Sequence, residues 1–171
     1  MMQRSLTLIT ALLLTSCGYH LVGHGDGSGV IPEDVMTVSI KATGEAAQQM
    51  GSLLKRQMAG NDRYKVVAVA AADLPDELTH AEMRIEQASE SFVPSAYDQS
   101  GLATQYRMTI RGNVRLFRQD QKLWESGVIT KSGDVFVSGG PTGIESSRKR
   151  IREDLQKEWA YAAWGRINSG F

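Results

Sequence analysis

The chain has one cysteine, Cys17, among its 171 residues, so it can form no internal disulfide, and a disulfide-stapled scaffold is excluded. It has no excess charge of either sign, because 19 Lys and Arg balance 19 Asp and Glu. That excludes the broad basic field of a nucleic-acid binder and leaves any charge-based function to local clusters. After the first 14 residues no apolar run approaches the roughly 20 residues of a membrane-spanning helix. The sequence lacks Gly-x-Ser-x-Gly, Gly-x-Gly-x-x-Gly and Gly-Lys-Ser/Thr, so neither a nucleophile elbow nor a phosphate loop is present. Asp73, Asp76 and Glu77 sit in a Pro-containing linker and read as solvated loop charge rather than an acid–base pair. His20 and His24 have only Asp26 nearby, short of a metal's ligand set, and His80 stands alone beside a strand. No catalytic residue, metal or cofactor is expected, and the chain reads as a non-enzyme.

What the sequence does contain begins at its N-terminus. Arg4 supplies a positive charge, and Leu6 to Leu14 form an apolar run interrupted only by Thr7 and Thr10, the length of a signal-peptide core. Leu14-Thr15-Ser16-Cys17-Gly18 follows and resembles the lipobox of bacterial lipoproteins, in which small residues admit the peptidase and the thiol takes a diacylglyceryl group. Residues 1–16 are therefore expected to be cleaved, leaving 18 basic and 19 acidic side chains. Cys17 is expected to be lipidated. Each buried methylene of such an anchor adds roughly 0.8 kcal/mol, so the body needs no membrane-crossing segment. In lipoproteins of this type Asp after the cysteine signals inner-membrane retention; Gly18 instead points to the outer membrane, with the body facing the periplasm. Residues 17–31 include Gly23-His24-Gly25-Asp26-Gly27-Ser28-Gly29, a Gly-rich tether with no apolar residue to bury.

Residues 32–171 read as one α+β domain. Met36, Val38 and Ile40 alternate with polar residues within a strand at Val35–Ile40. Ala46, Ala47, Met50, Leu53, Leu54 and Met58 recur at helical spacing over Glu45–Ala59, and Gly60-Asn61 stops that helix. Tyr64–Ala70 reads as a second, parallel strand, which completes a βαβ unit. Ala81, Met83 and Ile85, then Tyr106, Met108, Ile110, Val114 and Leu116, mark two long one-sided strands joined by a projecting hairpin over Val93–Gly101. After a Gln119-Asp120-Gln121 turn, the run Lys122–Ser138 adds a strand broken near Gly127 or Gly133. Thr142-Gly143-Ile144-Glu145 has capping-box spacing, and Ile144, Ile151, Leu155, Trp159, Ala162 and Ile167 stripe a terminal helix. The fold expected is a two-layer sandwich, two helices on one face of a mostly antiparallel sheet of four or five strands.

Two basic groups are candidate sites. Arg107, Arg111 and Arg115 share the polar face of one strand, roughly 13 Å apart. Either they pair across the hairpin with Glu82, Glu86 or Glu90, or they receive a phosphate-bearing ligand. Arg148, Lys149, Arg150 and Arg152 crowd the first half of the last helix, where the helix dipole slightly disfavours cations. They form either a solvated face or a contact for an anion or partner.

Taken together, these features resemble the LptE family of lipopolysaccharide-assembly lipoproteins. The likeness rests on Cys17-Gly18-Tyr19-His20-Leu21, on Ile31-Pro32 before the first strand, and on Ala103-Thr104-Gln105-Tyr106-Arg107-Met108. The resemblance implies a non-enzymatic outer-membrane protein that plugs the lumen of the LptD β-barrel, assists its folding and contacts lipopolysaccharide. The family's hairpin tip can carry a basic residue, whereas here the tip has Asp98 and no Lys or Arg. That leaves Arg107, Arg111 and the Arg148 cluster for the ligand. The alternative is a free periplasm-facing module that holds a lipid or extended peptide, which a ligand-sized apolar cavity would favour.

Overall fold

The computed structural model describes residues 29–68, 78–137 and 140–170. The signal sequence, Cys17, the tether up to Ser28, and Asp73, Asp76 and Glu77 lie outside the described residues. The elements run β1 (Thr37–Ala42), α1 (Glu45–Met58), β2 (Lys65–Val67), β3 (His80–Tyr97), β4 (Ala103–Arg118), β5 (Gln121–Glu125), β6 (Ile129–Phe136) and α2 (Gly140–Ser169). The sheet order is β2-β1-β3-β4-β5, and β6 pairs with β4 beside β5. β1 is parallel to both neighbours, while the β3–β4, β4–β5 and β4–β6 pairs are antiparallel. The expected α+β sandwich with its N-terminal strand-helix-strand unit is therefore present, with six strands rather than four or five. The added strand arises at Gly127, whose φ of +66° breaks Lys122–Ser138 into β5 and β6, while Gly133 stays in regular register opposite Met108.

Periodicity explains the packing. α1 buries Ala47, Met50, Leu54 and Met58, three or four residues apart, and α2 buries Leu155, Trp159, Ala163 and Ile167. Both helices close on the side of the sheet that carries Val38, Met83, Ile85, Met108, Ile110, Val114 and Leu116. Among the described residues Gly112 is one of two points of closest approach, the other being Gly133. A Cβ on Gly112 would lie 2.8 Å from Met50 Cε and 3.3 Å from the Trp159 ring, and Trp159 Nε1 donates to the Gly112 carbonyl at 3.4 Å. α2 begins at Gly140, two residues before the expected cap Thr142, with Pro141 in its first turn, where a missing N–H goes unused. The β4–β5 turn places both Gln119 and Asp120 at positive φ, the two-residue geometry that follows strand twist.

The two long strands are not one-sided throughout. Gln87 adopts φ +53°, and the register passes from Glu86↔Asn113 to Ser89↔Arg111. Two residues of β3 thus face one of β4, and side chains beyond the bulge change sides. Before it, odd-numbered residues such as Met83 and Ile85 face the helices. After it, Glu90 and Phe92 do, opposite Ile110 and Met108. The expected hairpin loop is also shorter: β3 continues to Tyr97. At the tip the Asp98 carboxylate accepts from the Ser100 and Leu102 amides, at 2.9 Å each, and from the Ser100 hydroxyl at 2.7 Å.

Candidate functional site

Among the described residues no helix covers the second face of the sheet, and its side chains fall into two zones. Near the bulge charges satisfy one another. Arg84 bonds Glu82 and Asp120 and lies 4.1 Å over the Phe117 ring. Arg115 bridges Glu86 and Glu125. Lys122 adds a 2.9 Å contact to Glu125, and hydrogen bonds from Lys122 and then Arg115 hold the Glu125 carboxyl down at about 2. Asn113 also donates to Glu125, at 3.1 Å. This is a closed ion-pair network, in which each exposed pair contributes little alone but the guanidinium positions are fixed.

Further toward the hairpin tip the zone is hydroxyl-rich and less neutralised. The rows across β3, β4 and β6 are Ser89–Arg111–Thr130, Ser91–Thr109–Ser132 and Val93–Arg107–Asp134. Arg107 makes a two-pronged contact with Asp134, at 2.9 and 3.0 Å, which lowers the Asp134 pKa. Arg111 is exposed and has no ion-pair partner among the described residues. The three strand arginines therefore differ: Arg115 holds two acids, Arg107 one, Arg111 none. Glu86 pairs with this stripe, but Glu82 pairs with Arg84, and Glu90 lies on the other face because of the bulge.

The basic cluster of α2 divides by helix geometry, since residues four apart share a face. Arg148 and Arg152 turn toward the sheet. Arg152 contacts Glu90 at 2.8 Å. Arg148 lies 5.2 Å over the Phe92 ring, which stacks on Tyr106 at 4.8 Å between centroids. These contacts clasp the outer half of the hairpin to α2. Lys149 and Arg150 are exposed, and Arg150 reaches the groove between α2 and β6. The two basic groups named from the sequence thus lie on opposite sides of the sheet, Arg107, Arg111 and Arg115 on the uncovered face and the α2 cations on the other.

Sequence reading missed the apolar residues on the outer hairpin. Val93 is 51% exposed, Tyr97 61%, Leu102 67% and Phe136 70%, so the tip is apolar rather than basic. Val93 and Tyr97 fell within the hairpin expected over Val93–Gly101, and Phe136 fell in a strand run, where apolar residues read as core. It also missed the environment of His80, whose ring nitrogens meet the Thr37 and Ser39 hydroxyls at 2.9 and 3.0 Å. Burial there lowers the His80 pKa.

Cavities of about 310 to 380 Å³ lie between α1 and α2, beside Glu90 and Arg152, and between α2 and β6. Each has charged side chains in its lining, and the last adds Val135, Phe136 and Ile151; none of the three is the apolar pocket a lipid carrier would need. Among the described residues no three His, Cys, Asp or Glu side chains converge on a metal position, and no helix is long and apolar enough to cross a membrane.

Three solved structures share this fold. A lipoprotein B from Nitrosomonas europaea superposes with a TM-score of 0.63 at 18% identity, over 86% of this chain and 92% of that one. The rare lipoprotein B from Shewanella oneidensis gives 0.60 at 10% identity, over 78% and 95%. The minor lipoprotein from Acinetobacter baumannii gives 0.56 at 9% identity, over 82% and 94%. No curated protein matches the chain. A family model described as LptE, lipopolysaccharide-assembly, matches residues 35–161, which takes in all six described strands, α1, and α2 as far as Tyr161, and the chain therefore belongs to the LptE family.

Proposed function

We propose that this protein is a lipid-anchored outer-membrane component of lipopolysaccharide assembly that works by binding rather than by catalysis. The signal sequence 1–16 is removed, Cys17 carries the acyl anchor, residues 17–31 form the tether, and the body occupies the lumen of an LptD-like β-barrel as plug and folding partner. Family membership supplies the setting. The observation that carries the reading is the uncovered sheet face, where Arg84 is held by Glu82 and Asp120, Arg115 by Glu86 and Glu125, and Ser91, Thr109 and Ser132 line up. A sheet with one face left bare must present it to water or to a polar partner, and a water-filled barrel lumen offers both.

Within this reading Arg111 is the first lipopolysaccharide contact, because its guanidinium is exposed and has no acid to leave. Lys149 and Arg150 follow. Arg107 and Arg115 would first have to give up Asp134, or Glu86 and Glu125. An affinity-tagged, lipidated form isolated from native membranes should bring down a barrel protein and retain lipopolysaccharide. Arg111→Ala should lower that retention roughly tenfold, the worth of one charge-assisted hydrogen bond, and leave the barrel bound. Isolation without any barrel would defeat the plug reading. Unchanged retention in Arg111→Ala would remove Arg111 from the contact.

A further inference from the structure

Beyond that reading, the free strand edges of the sheet differ in how they are protected. β3 is paired with β1 only over His80–Ile85, so its outer half has an open edge, and that edge carries the Gln87 bulge, Pro94 and a second register shift next to it. Bulges, proline and charged side chains, lysine above all, are the usual means of keeping an edge from pairing. β2 has only three residues, and the register of β5 with β4 shifts between Leu116 and Phe117. β6 has no bulge and no proline; its edge charges are Lys131 and Asp134, and Arg107 already holds Asp134. Its eight residues pair with β4 without a register shift, contain no proline, and leave the other side of the strand without a partner among the described residues. Exposed apolar side chains bracket it, Val128 at 48% and Phe136 at 70%.

We propose that this edge pairs with the same edge of a second copy, antiparallel, about a twofold axis through Ser132. Facing residues in such a pair must share a sheet face, which restricts the registers. Thr130, Ser132, Asp134 and Phe136 lie on the uncovered face, and Ile129, Lys131, Gly133 and Val135 lie under α2. Centring on Ser132 sets Val128 against Phe136 twice, Ile129 against Val135, Thr130 against Asp134, and Lys131 against Gly133. Both exposed apolar side chains become covered, no like charges meet, and the longest side chain faces a residue that has none. Centring one residue later leaves Val128 unmatched and sets Lys131 against Val135.

The helix above β6 repeats the match. A Cβ on Gly133 would lie 2.8 Å from Ile151 Cδ1 and 3.7 Å from Leu155 Cδ2, so α2 lies over β6 next to the proposed axis, and Arg150 and Asp154 are the charges of that part of the helix nearest the edge. Both line the groove of about 310 Å³ between α2 and β6. Among the described residues each has one polar partner, at 3.4 Å, Ser147 for Arg150 and Lys157 for Asp154. Across the twofold axis Arg150 faces Asp154 of the second copy, and Asp154 faces its Arg150. A closed barrel has no strand edge to offer, so a second copy is the occupant this edge fits. The pair belongs to the chain before a barrel surrounds it.

The test uses the mature chain with Cys17→Ser, so that no other thiol is present. Sedimentation should show a monomer–dimer equilibrium. Ser132→Cys should give a disulfide-linked dimer on mild oxidation, whereas Lys131→Cys, which would face Gly133, should not. Ser132→Lys places like charges on the axis and should raise the midpoint concentration roughly tenfold. Arg150→Asp should weaken the dimer, and Arg150→Asp with Asp154→Arg should restore it. Circular dichroism verifies that each variant folds. A monomer at every concentration up to about 1 mM overturns the proposal. So does a dimer that neither links through residue 132 nor recovers with the exchanged charges. Barrel binding is not measured here, so failure leaves the plug reading intact.

Discussion

Glu90→Ala tests whether the bulge at Gln87 has the structural consequence assigned to it. The Glu90 carboxylate lies 2.8 Å from an Arg152 guanidinium nitrogen, with side-chain exposures of 27% and 26%, and Arg152 Nε has no hydrogen-bond partner. An exposed pair contributes about 0–1 kcal/mol, and breaking a fully buried one costs about 3–5 kcal/mol. At three-quarters burial the loss should fall between these limits, about 2 kcal/mol. Urea unfolding measures it, since a slope near 2 kcal/mol/M turns that loss into a midpoint drop of about 1 M. The pair Glu90→Leu with Arg152→Met should return to within about 1 kcal/mol of the parent, because apolar side chains of similar size replace two desolvated charges. Hydrogen exchange should quicken at Ser89–Phe92 in Glu90→Ala and not at β1. If Glu90→Ala shifts the midpoint by less than about 0.2 M, or the double variant is as unstable as the single, Glu90 does not face α2 as described.

Gly112→Ala should destabilise by about 1–3 kcal/mol through overpacking, seen as a lower thermal midpoint, because Met50 can move aside but the Trp159 indole cannot; an unchanged midpoint would contradict the close approach. Tyr64 is 6% exposed, its hydroxyl has no partner, and burial pushes its pKa up to about 12. Tyr64→Phe should therefore be stabilising by about 1 kcal/mol, and a loss of stability in urea would show that the hydroxyl is satisfied. His80 has a folded-state pKa below its usual 6.5, so the unfolded chain binds the proton first on acidification. Its contribution is complete above about pH 6.5 and lost as pH falls from there through the folded value. Glu125, held at about 2 instead of 4.5, adds a second loss between those values. Urea midpoints followed from pH 8 downward should decline first near 6.5, and His80→Asn should remove that first step. Cys17→Ala should release the protein from membranes or leave the signal sequence attached, and sedimentation with the outer membrane at normal mobility would rule out lipidation as the anchor.

Elements with a single environment along their length could be read directly. α1 keeps one face to the sheet, so Ala47, Met50, Leu54 and Met58 recur at the helical period. β1 and the first half of β3 keep one face to the helices, so Val38, Met83 and Ile85 alternate. Where environment changes within an element, period alone fails. β3 changes sides at Gln87, which is not glycine and carries no turn signal, yet a trace was legible: the apolar residues move from odd positions, Met83 and Ile85, to an even one, Phe92. A strand that skips phase contains an added residue, and the two apolar residues on either side bracket the bulge. The break in Lys122–Ser138 had two glycine candidates, and only packing separates them. Gly127 takes a positive φ, whereas Gly133 stays extended and leaves room for Ile151.

The basic site was legible only as an inventory. Spacing on a strand or helix says which cations share a side of their own element, and it placed Arg107, Arg111 and Arg115 together correctly. What a cation can do for a ligand depends on whether an acid already holds it, and those acids come from elsewhere in the chain. Asp134 reaches Arg107 from 27 residues away, and Glu86 reaches Arg115 from 29. Glu90 was a plausible partner for the same stripe until one inserted residue sent it through the sheet to Arg152. The number of arginines in a cluster is therefore an upper bound, and folding subtracts from it. Here the subtraction leaves Arg111 on the open face and Lys149 and Arg150 on the helix. A phosphate arriving on one side of this sheet would find one uncommitted guanidinium set among hydroxyls, which is enough to orient a headgroup and too little to hold it against salt.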